Sequence, residues 1–183
     1  MKVVIIAVLL MLSAICSATE TAFSSCNRIR LKKLADDGNK SAKKAMNICD
    51  NFDKALTAIL VGNNVVNISS SSLATVLFTE KFGKGSVGLA TVVMTVLVLI
   101  FGEILPKSLA KENSERFSIL MAAPLSAFMF IITPITAIFM GIKSGVTKLV
   151  GNKNSEPSVT EEELKYIIDE IQEYWSGMYC NKM

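Results

Sequence analysis

The 183 residues are 51% hydrophobic, carry a formal net charge of +3 and include no histidine. The apolar residues form blocks long enough to cross a bilayer, which indicates an integral membrane protein rather than a soluble enzyme. The small net charge gives no argument for nucleic-acid binding, and the lack of histidine excludes Ser–His triads and the HExxH zinc site. The four cysteines have no CxxC spacing and are interpreted as free thiols: Cys16, Cys26, Cys49 and Cys180.

The first apolar segment runs from about Val3 to Ser25 and begins like a secretory signal, with Lys2 ahead of an apolar run. Since the rest of the chain is also membrane-embedded, we expect this segment to stay in the chain as its first span. Ser13 and Ser17 lie four residues apart in it, and therefore point from the same face of a helix.

A stretch rich in lysine and arginine follows, from residue 27 to residue 54, and the positive-inside rule predicts that it is cytoplasmic. Apolar residues recur at helical spacing on both sides of Gly38-Asn39, which predicts two short amphipathic helices on the membrane surface. We interpret Glu20, just ahead of this loop, as a surface carboxylate that pairs with Arg28 or Lys32 rather than as an ion ligand.

The second and third apolar segments have lengths that suit a bilayer crossing. The second, about Ala55 to Phe78, contains Asn63 and Asn67, which again lie one helical turn apart. Gly83 and Gly85 predict a tight turn before the third segment, residues 87–105, which is apolar until Gly102-Glu103.

Glu103 is the least expected residue of the third segment, because a charged group at membrane depth is functional by default. Pro106 has no N–H for the carbonyl four residues earlier, and its ring displaces that carbonyl, which belongs to Gly102. We therefore predict a discontinuous helix that offers a backbone carbonyl beside a carboxylate, as in ion sites of transporters.

The three segments together offer six oxygen ligands, and Mg²⁺ takes six oxygens in near-octahedral geometry. Na⁺ suits the same neutral oxygens and is the second candidate ion. The alternative is that the Ser and Asn pairs only form hydrogen bonds between helices and hold a scaffold together. The predicted site is called the polar cluster below and comprises Ser13, Ser17, Asn63, Asn67, Gly102 and Glu103.

The fourth apolar segment, residues 117–142, is expected to be a kinked helix lying partly in the membrane interface. A full crossing would place the lysines that follow it outside, against the positive-inside rule, and Pro124 and Pro134 interrupt it. Residues 151–183 are predicted to form a cytoplasmic amphipathic helix and tail, with a capping box at Thr160 to Glu163. The predicted fold is thus an all-α integral membrane domain over residues 1–150, with three spanning helices.

Four stretches occur in the order LSAICSATETAF, NRIRLKKLADDGNKSAKKA, ILVGNNVVNI and LIFGEILPKSLA. Because of these stretches, the chain resembles the membrane domain of the CorC/cyclin-M (CNNM) magnesium transporters. The resemblance covers about Leu12 to Ile171. The resemblance implies a homodimer in the plasma or inner membrane, with three spanning helices and a juxtamembrane helix per subunit, that exports Mg²⁺ or exchanges it for Na⁺. It implies an ion site made of the same residues as the polar cluster.

Two features depart from the family pattern. Family members usually continue from a TEEEL helix into nucleotide-binding CBS modules, whereas here TEEELKYIIDEIQE is followed by YWSGMYCNKM. We therefore expect neither CBS modules nor a nucleotide site in this chain. Cys16 stands where the family more often has an aromatic residue.

The leading hypothesis is a Mg²⁺ transporter domain that works by alternating access, and the alternative is a dimeric membrane scaffold or cation sensor. An intramembrane enzyme is not expected, because the apolar segments contain no aspartate and the chain contains no histidine.

Overall fold

The computed structural model describes residues 1–150, and within them it contains helices and no strand. This agrees with the predicted all-α fold. The α-helices of the described part are α1 (Lys2–Ser25), α2 (Arg28–Asp36), α3 (Lys40–Asp50), α4 (Phe52–Phe82), α5 (Val87–Leu97), α6 (Leu105–Glu112) and α7 (Ser114–Val150). Residues Met1–Met140 form one compact unit, and the second unit, Gly141–Met183, contributes the last turns of α7 to the described part. The amphipathic helix predicted in residues 151–183 lies outside the described residues.

The two short helices predicted after the first span are confirmed as α2 and α3. Each begins at an asparagine whose side chain accepts hydrogen bonds from two backbone N–H groups of the first turn: Asn27 caps α2 and Asn39 caps α3. Gly38 separates the helices with φ of 91°, a left-handed conformation that glycine adopts without a steric penalty. The break therefore follows from local turn chemistry.

A second tight turn separates α4 from α5. Gly83 has φ of 84°, and its N–H donates to the Thr79 carbonyl at the end of α4. A 3₁₀ turn, Lys84–Ser86, then leads into α5. The glycine-marked turn predicted at this place is confirmed.

The third segment changes its hydrogen-bonding pattern where Pro106 predicted an irregularity. Residues Val98–Ile104 form a π-helical segment between α5 and α6, and the Leu105 N–H donates to the Ile100 carbonyl five residues earlier. Pro106 occupies the first turn of α6, where its missing N–H does least harm. The predicted discontinuity is thus a segment with i→i+5 hydrogen bonds rather than an unwound break, and Pro106, which has no N–H, lies just after it.

Three helical stretches of residues 1–150 are long and apolar enough to cross a membrane: Lys2–Ser25, Lys84–Glu112 and Ser114–Ile135. Three spans were also predicted, but they are not the same three. The prediction included α4, whereas the structure has the first part of α7 in its place. The 31 residues of α4 extend over about 46 Å, enough to cross a bilayer, but its Asn and Ser residues make it more polar than the others. The expected interfacial position of residues 117–142 stays a prediction.

Helix α1 is central to the packing, since α4, α6 and the π-helical segment all pack against it. At one end, Phe23 joins a core with Leu31, Ile48 and Ile59. At the other end, Ile6 of α1 packs against side chains of α4 and α5. Large apolar side chains on the outer faces remain exposed, as expected where lipid rather than water surrounds a helix bundle.

Candidate ion-binding site

Ser13 is the residue at which the three elements of the polar cluster meet. Its side chain is 0% exposed, and its hydroxyl donates a buried hydrogen bond of 3.0 Å to Oδ1 of Asn63 on α4. The Asn67 amide nitrogen lies 3.5 Å from the same Asn63 oxygen. One asparagine oxygen therefore receives donors from two residues of the cluster.

Gly102 brings the π-helical segment against the same serine. A Cβ atom added to Gly102 would lie 3.0 Å from Ser13 Oγ and 3.5 Å from Ser13 Cβ, closer than side chains usually pack. Glycine therefore allows a close approach that a larger residue would reach only if Ser13 shifted by a few tenths of an ångström. Helix α1 thus contacts α4 through a hydrogen bond and the π-helical segment through van der Waals contact, both at Ser13.

Two oxygens of the polar cluster are buried without a hydrogen-bond partner. They are Ser17 Oγ and Asn67 Oδ1, and no other side-chain oxygen or nitrogen in the described part of the chain shares this state. A buried polar group without a partner costs about 1–3 kcal/mol, so such groups are rare and call for an explanation. Both fall on residues that the sequence predicted as ion ligands.

Glu103 follows Gly102 in the π-helical segment and is half-buried. Ion pairs form at Lys2–Glu80, Arg30–Glu115 and Lys107–Glu20, and among the side chains that the structure describes no cation is paired with Glu103. No hydrogen bond joins Glu103 or Ser17 to the Ser13–Asn63 pair. Direct contacts therefore bring together Ser13, Asn63, Asn67 and Gly102, while Ser17 and Glu103 are their neighbours on the same helical elements.

Glu20 is paired, but the predicted partners were wrong. Its carboxylate lies 3.6 Å from Nζ of Lys107 on α6, and the Arg28 guanidinium instead donates to the Cys49 carbonyl at 3.0 Å. The reason is that α1 packs along α6, so the end of α1 faces α6. This pair connects α1 to α6, the helix that begins at Leu105.

The polar cluster has few formal charges. Within the part of the chain that the structure describes, no group of three or more His, Cys, Asp or Glu residues is placed to hold a metal ion. Any cation bound in the cluster would therefore be held by hydroxyl, amide and carbonyl oxygens beside one carboxylate. Hard cations such as Mg²⁺ accept such oxygens, whereas Zn²⁺ prefers nitrogen and sulfur.

A separate cavity of about 430 Å³ lies between α1, α4 and α7. Its wall is almost entirely apolar and includes Leu12, Ile59, Val66, Leu125 and Phe128. It offers a cation no set of oxygen ligands, so the polar cluster is the better candidate for an ion site.

The contact between Cys26 and Cys49 was not predicted from the sequence. Cys26 and Cys49, interpreted above as free thiols, are free in the structure, but their sulfur atoms lie 3.5 Å apart. Their 23-residue separation gave no motif, and they meet because α2 and α3 pack against each other. The two predicted short helices around Gly38-Asn39 were the one available signal.

Comparison with known proteins gives a match to the family model "Cyclin M transmembrane N-terminal domain" over residues 4–175. The chain is 35% identical to a UPF0053 protein of Haemophilus influenzae over 93% of its length, and 32% identical to the UPF0053 inner membrane protein YfjD of Escherichia coli over 87%. It is also 36% identical, over 90% of its length, to a chloroplastic DUF21 domain-containing protein of Arabidopsis thaliana. The chain spans 41%, 38% and 25% of these relatives, so their whole-protein activities do not transfer directly.

Proposed function

The chain belongs to the cyclin M transmembrane N-terminal domain family, and on this premise we propose that it is the membrane domain of a Mg²⁺ transporter. The polar cluster is the proposed binding site for the transported ion. The observation that carries this proposal is the pair of buried oxygens without partners, Ser17 Oγ and Asn67 Oδ1. A bound cation would satisfy both oxygens and explain why they are kept in a packed region.

The chemistry of the proposed ligands suits Mg²⁺. Two hydroxyls, two amide oxygens, the Gly102 carbonyl and the Glu103 carboxylate supply six oxygens, the coordination number that Mg²⁺ prefers. A single carboxylate leaves a net charge of +1 on the occupied site, so Mg²⁺ is held less tightly than by several carboxylates and can be released. Na⁺, which also accepts neutral oxygens, is the proposed exchange ion.

The proposed transport cycle depends on the convergence of three elements at Ser13. Helix α4 and the π-helical segment both contact α1 there, so a small shift of either element would change the ligand set. π-Helical turns within helices are frequently found at functional sites. We propose alternating access, in which Mg²⁺ enters from the side of residues 27–54, taken as cytoplasmic, and leaves on the other side. The proposed assembly is a homodimer in the plasma or inner membrane.

Thermal stability of the purified protein in detergent tests the proposal, with Mg²⁺, Ca²⁺ and Na⁺ titrated in turn. A ligand that binds the folded state raises the melting temperature by mass action. We expect Mg²⁺ to stabilise the unmodified protein and a Glu112→Gln control, which makes the same change at an exposed carboxylate of α6. Glu103→Gln is expected to lose the effect. If Mg²⁺ stabilises Glu103→Gln as strongly as the control, the carboxylate is not a ligand and the proposed site is wrong.

The alternative function is a membrane scaffold or cation sensor, and the Ser13–Asn63 hydrogen bond favours it, because such bonds hold membrane helices together. On this hypothesis Asn63→Ala weakens helix packing to the same degree with and without Mg²⁺. On the transporter hypothesis, Asn63→Ala lowers the melting temperature more when Mg²⁺ is present, because the variant also lacks one of the ion's ligands. Melting temperatures of Asn63→Ala in both conditions separate the two.

A further inference from the structure

Cys26 and Cys49 meet where α1 ends and α3 ends. Cys26 is the residue that follows α1, and Cys49 is the penultimate residue of α3. Their sulfur atoms are 3.5 Å apart, and both residues pack in the core that also contains Phe23 and Leu31. Cys16, the third cysteine of the described residues, lies elsewhere on α1.

The surroundings give the two thiols different properties. The contact with the Cys49 thiol lowers the pKa of Cys26 to about 7, against the opposing effect of burial, and Ser118 and Arg28 lower it further. The pKa of Cys49 is raised, because of its contact with Cys26 and because it is buried. Cys26 is also the more accessible of the two, since Cys49 is buried, so Cys26 is the nucleophile of the pair and Cys49 is the thiol held next to it.

We propose that Cys26 and Cys49 form a reversible redox-modification site, in which a low-molecular-weight disulfide oxidises the pair to an intramolecular disulfide. The proposal stands on the contact between the two sulfurs and on their packing. It does not depend on the proposed transport function. A cytoplasmic position of residues 27–54 would keep the pair reduced until oxidant accumulates, as is usual for redox-sensing cysteines in reducing compartments.

The reaction needs only the two cysteines and the small disulfide, and no other group of the protein takes part. The Cys26 thiolate attacks one sulfur of the oxidant RSSR, which forms a Cys26–SR mixed disulfide and releases RS⁻. Cys49 then loses its proton and attacks Cys26 Sγ, which breaks the bond to SR and releases a second RS⁻. The two protons lost by the cysteines end on the two released thiols. The pair is thus oxidised by two electrons, and the small disulfide is reduced by two.

The test uses the full chain with Cys16 and Cys180 replaced by alanine, so that only the pair remains. After treatment with oxidised glutathione in detergent, we expect the intact mass to fall by two hydrogen atoms. Maleimide should then label neither cysteine, and dithiothreitol should restore the labelling. A Cys49→Ser version should stop at the mixed disulfide on Cys26, with one glutathione added.

A second measurement shows whether the fold aligns the two thiols. The same protein is oxidised in detergent and, separately, after unfolding in sodium dodecyl sulfate. We expect the intramolecular disulfide to form at least about tenfold faster in the folded protein, because the two sulfurs are already adjacent. Equal rates in both states would overturn the proposal. So would accumulation of mixed disulfides without ring closure in the folded protein.

Discussion

The Ser13 hydroxyl donates a hydrogen bond of 3.0 Å to Asn63 Oδ1, and the two residues each belong to a pair of predicted ligands on different helices. The bond fixes α1 against α4 at the depth where Gly102 approaches Ser13. The other member of each pair, Ser17 and Asn67, keeps a buried oxygen without a partner. Each pair therefore combines one residue that holds the helices together with one whose oxygen is free for a ligand.

Without Mg²⁺, alanine substitution is expected to lower the stability of the protein at Ser13 but not at Ser17. Ser13→Ala removes a buried hydrogen bond and should destabilise the protein by about 1 kcal/mol. Ser17→Ala removes an oxygen without a partner and should leave stability unchanged or raise it by up to about 1–3 kcal/mol. Melting temperatures without Mg²⁺ compare them, and a larger loss in Ser17→Ala than in Ser13→Ala would contradict the assignment.

Gly102→Ala is expected to disturb the contact between the π-helical segment and α1. The new Cβ would lie 3.0 Å from Ser13 Oγ, and such overpacking costs typically about 1–3 kcal/mol. Mg²⁺ stabilisation should be lost as well, since the ligands would move apart. Gly88→Ala on α5 is the matched control, because its Cβ would meet no atom within 4 Å and alanine favours a helix by about 1 kcal/mol. Thermal unfolding measures both variants, and an equal loss of stability in the two would show that Gly102 does not pack closely against Ser13.

Glu20→Gln is expected to keep Mg²⁺ stabilisation. Glu20 is paired with Lys107, whose side chain is 40% exposed, and a partly exposed ion pair of this kind contributes at most about 1 kcal/mol. The variant should therefore melt slightly lower than the unmodified protein, with an undiminished response to Mg²⁺. Loss of that response would show that Glu20 is itself a ligand.

Alkylation of Cys26 by iodoacetamide is expected to follow a pKa of about 7. Below that pH the sulfur is a thiol and reacts slowly, and the rate rises as pH increases and the thiolate forms. Cys49→Ala removes the thiol that contacts Cys26 and should move the midpoint up toward the ordinary cysteine value, even though Arg28 remains. The profile is measured with Cys16 and Cys180 replaced by alanine, and an unchanged midpoint in Cys49→Ala would show that the thiol contact does not form.

Local chemistry made much of the fold predictable. Gly38-Asn39 and Gly83 specify helix ends by their own conformations, and Pro106 excludes a regular α-helical bond to Gly102. Proline chemistry does not say which irregularity replaces that bond, so the π-helical form of residues Val98–Ile104 was not predicted. Hydropathy also gave four apolar segments without saying which three suit a crossing best.

The contacts between distant residues were less predictable. Helical spacing placed Ser13 with Ser17 and Asn63 with Asn67, but only tertiary packing decides that Ser13 bonds Asn63. The Glu20–Lys107 pair depends on α1 packing along α6, and basic residues nearer in sequence were the natural guess. The Cys26–Cys49 contact depends in the same way on α2 folding against α3.

Isothermal titration calorimetry of Mg²⁺ into the purified protein tests the central claim most directly, with Asn67→Ala and Asn64→Ala measured beside the unmodified chain. Asn64 is an exposed neighbour on α4, whereas the Asn67 oxygen is buried without a partner. The account predicts that the unmodified chain and Asn64→Ala bind Mg²⁺ alike and that Asn67→Ala binds at least about tenfold more weakly, a loss of about 1.4 kcal/mol. Equal affinity in all three proteins, or no Mg²⁺ binding by the unmodified chain, would contradict it.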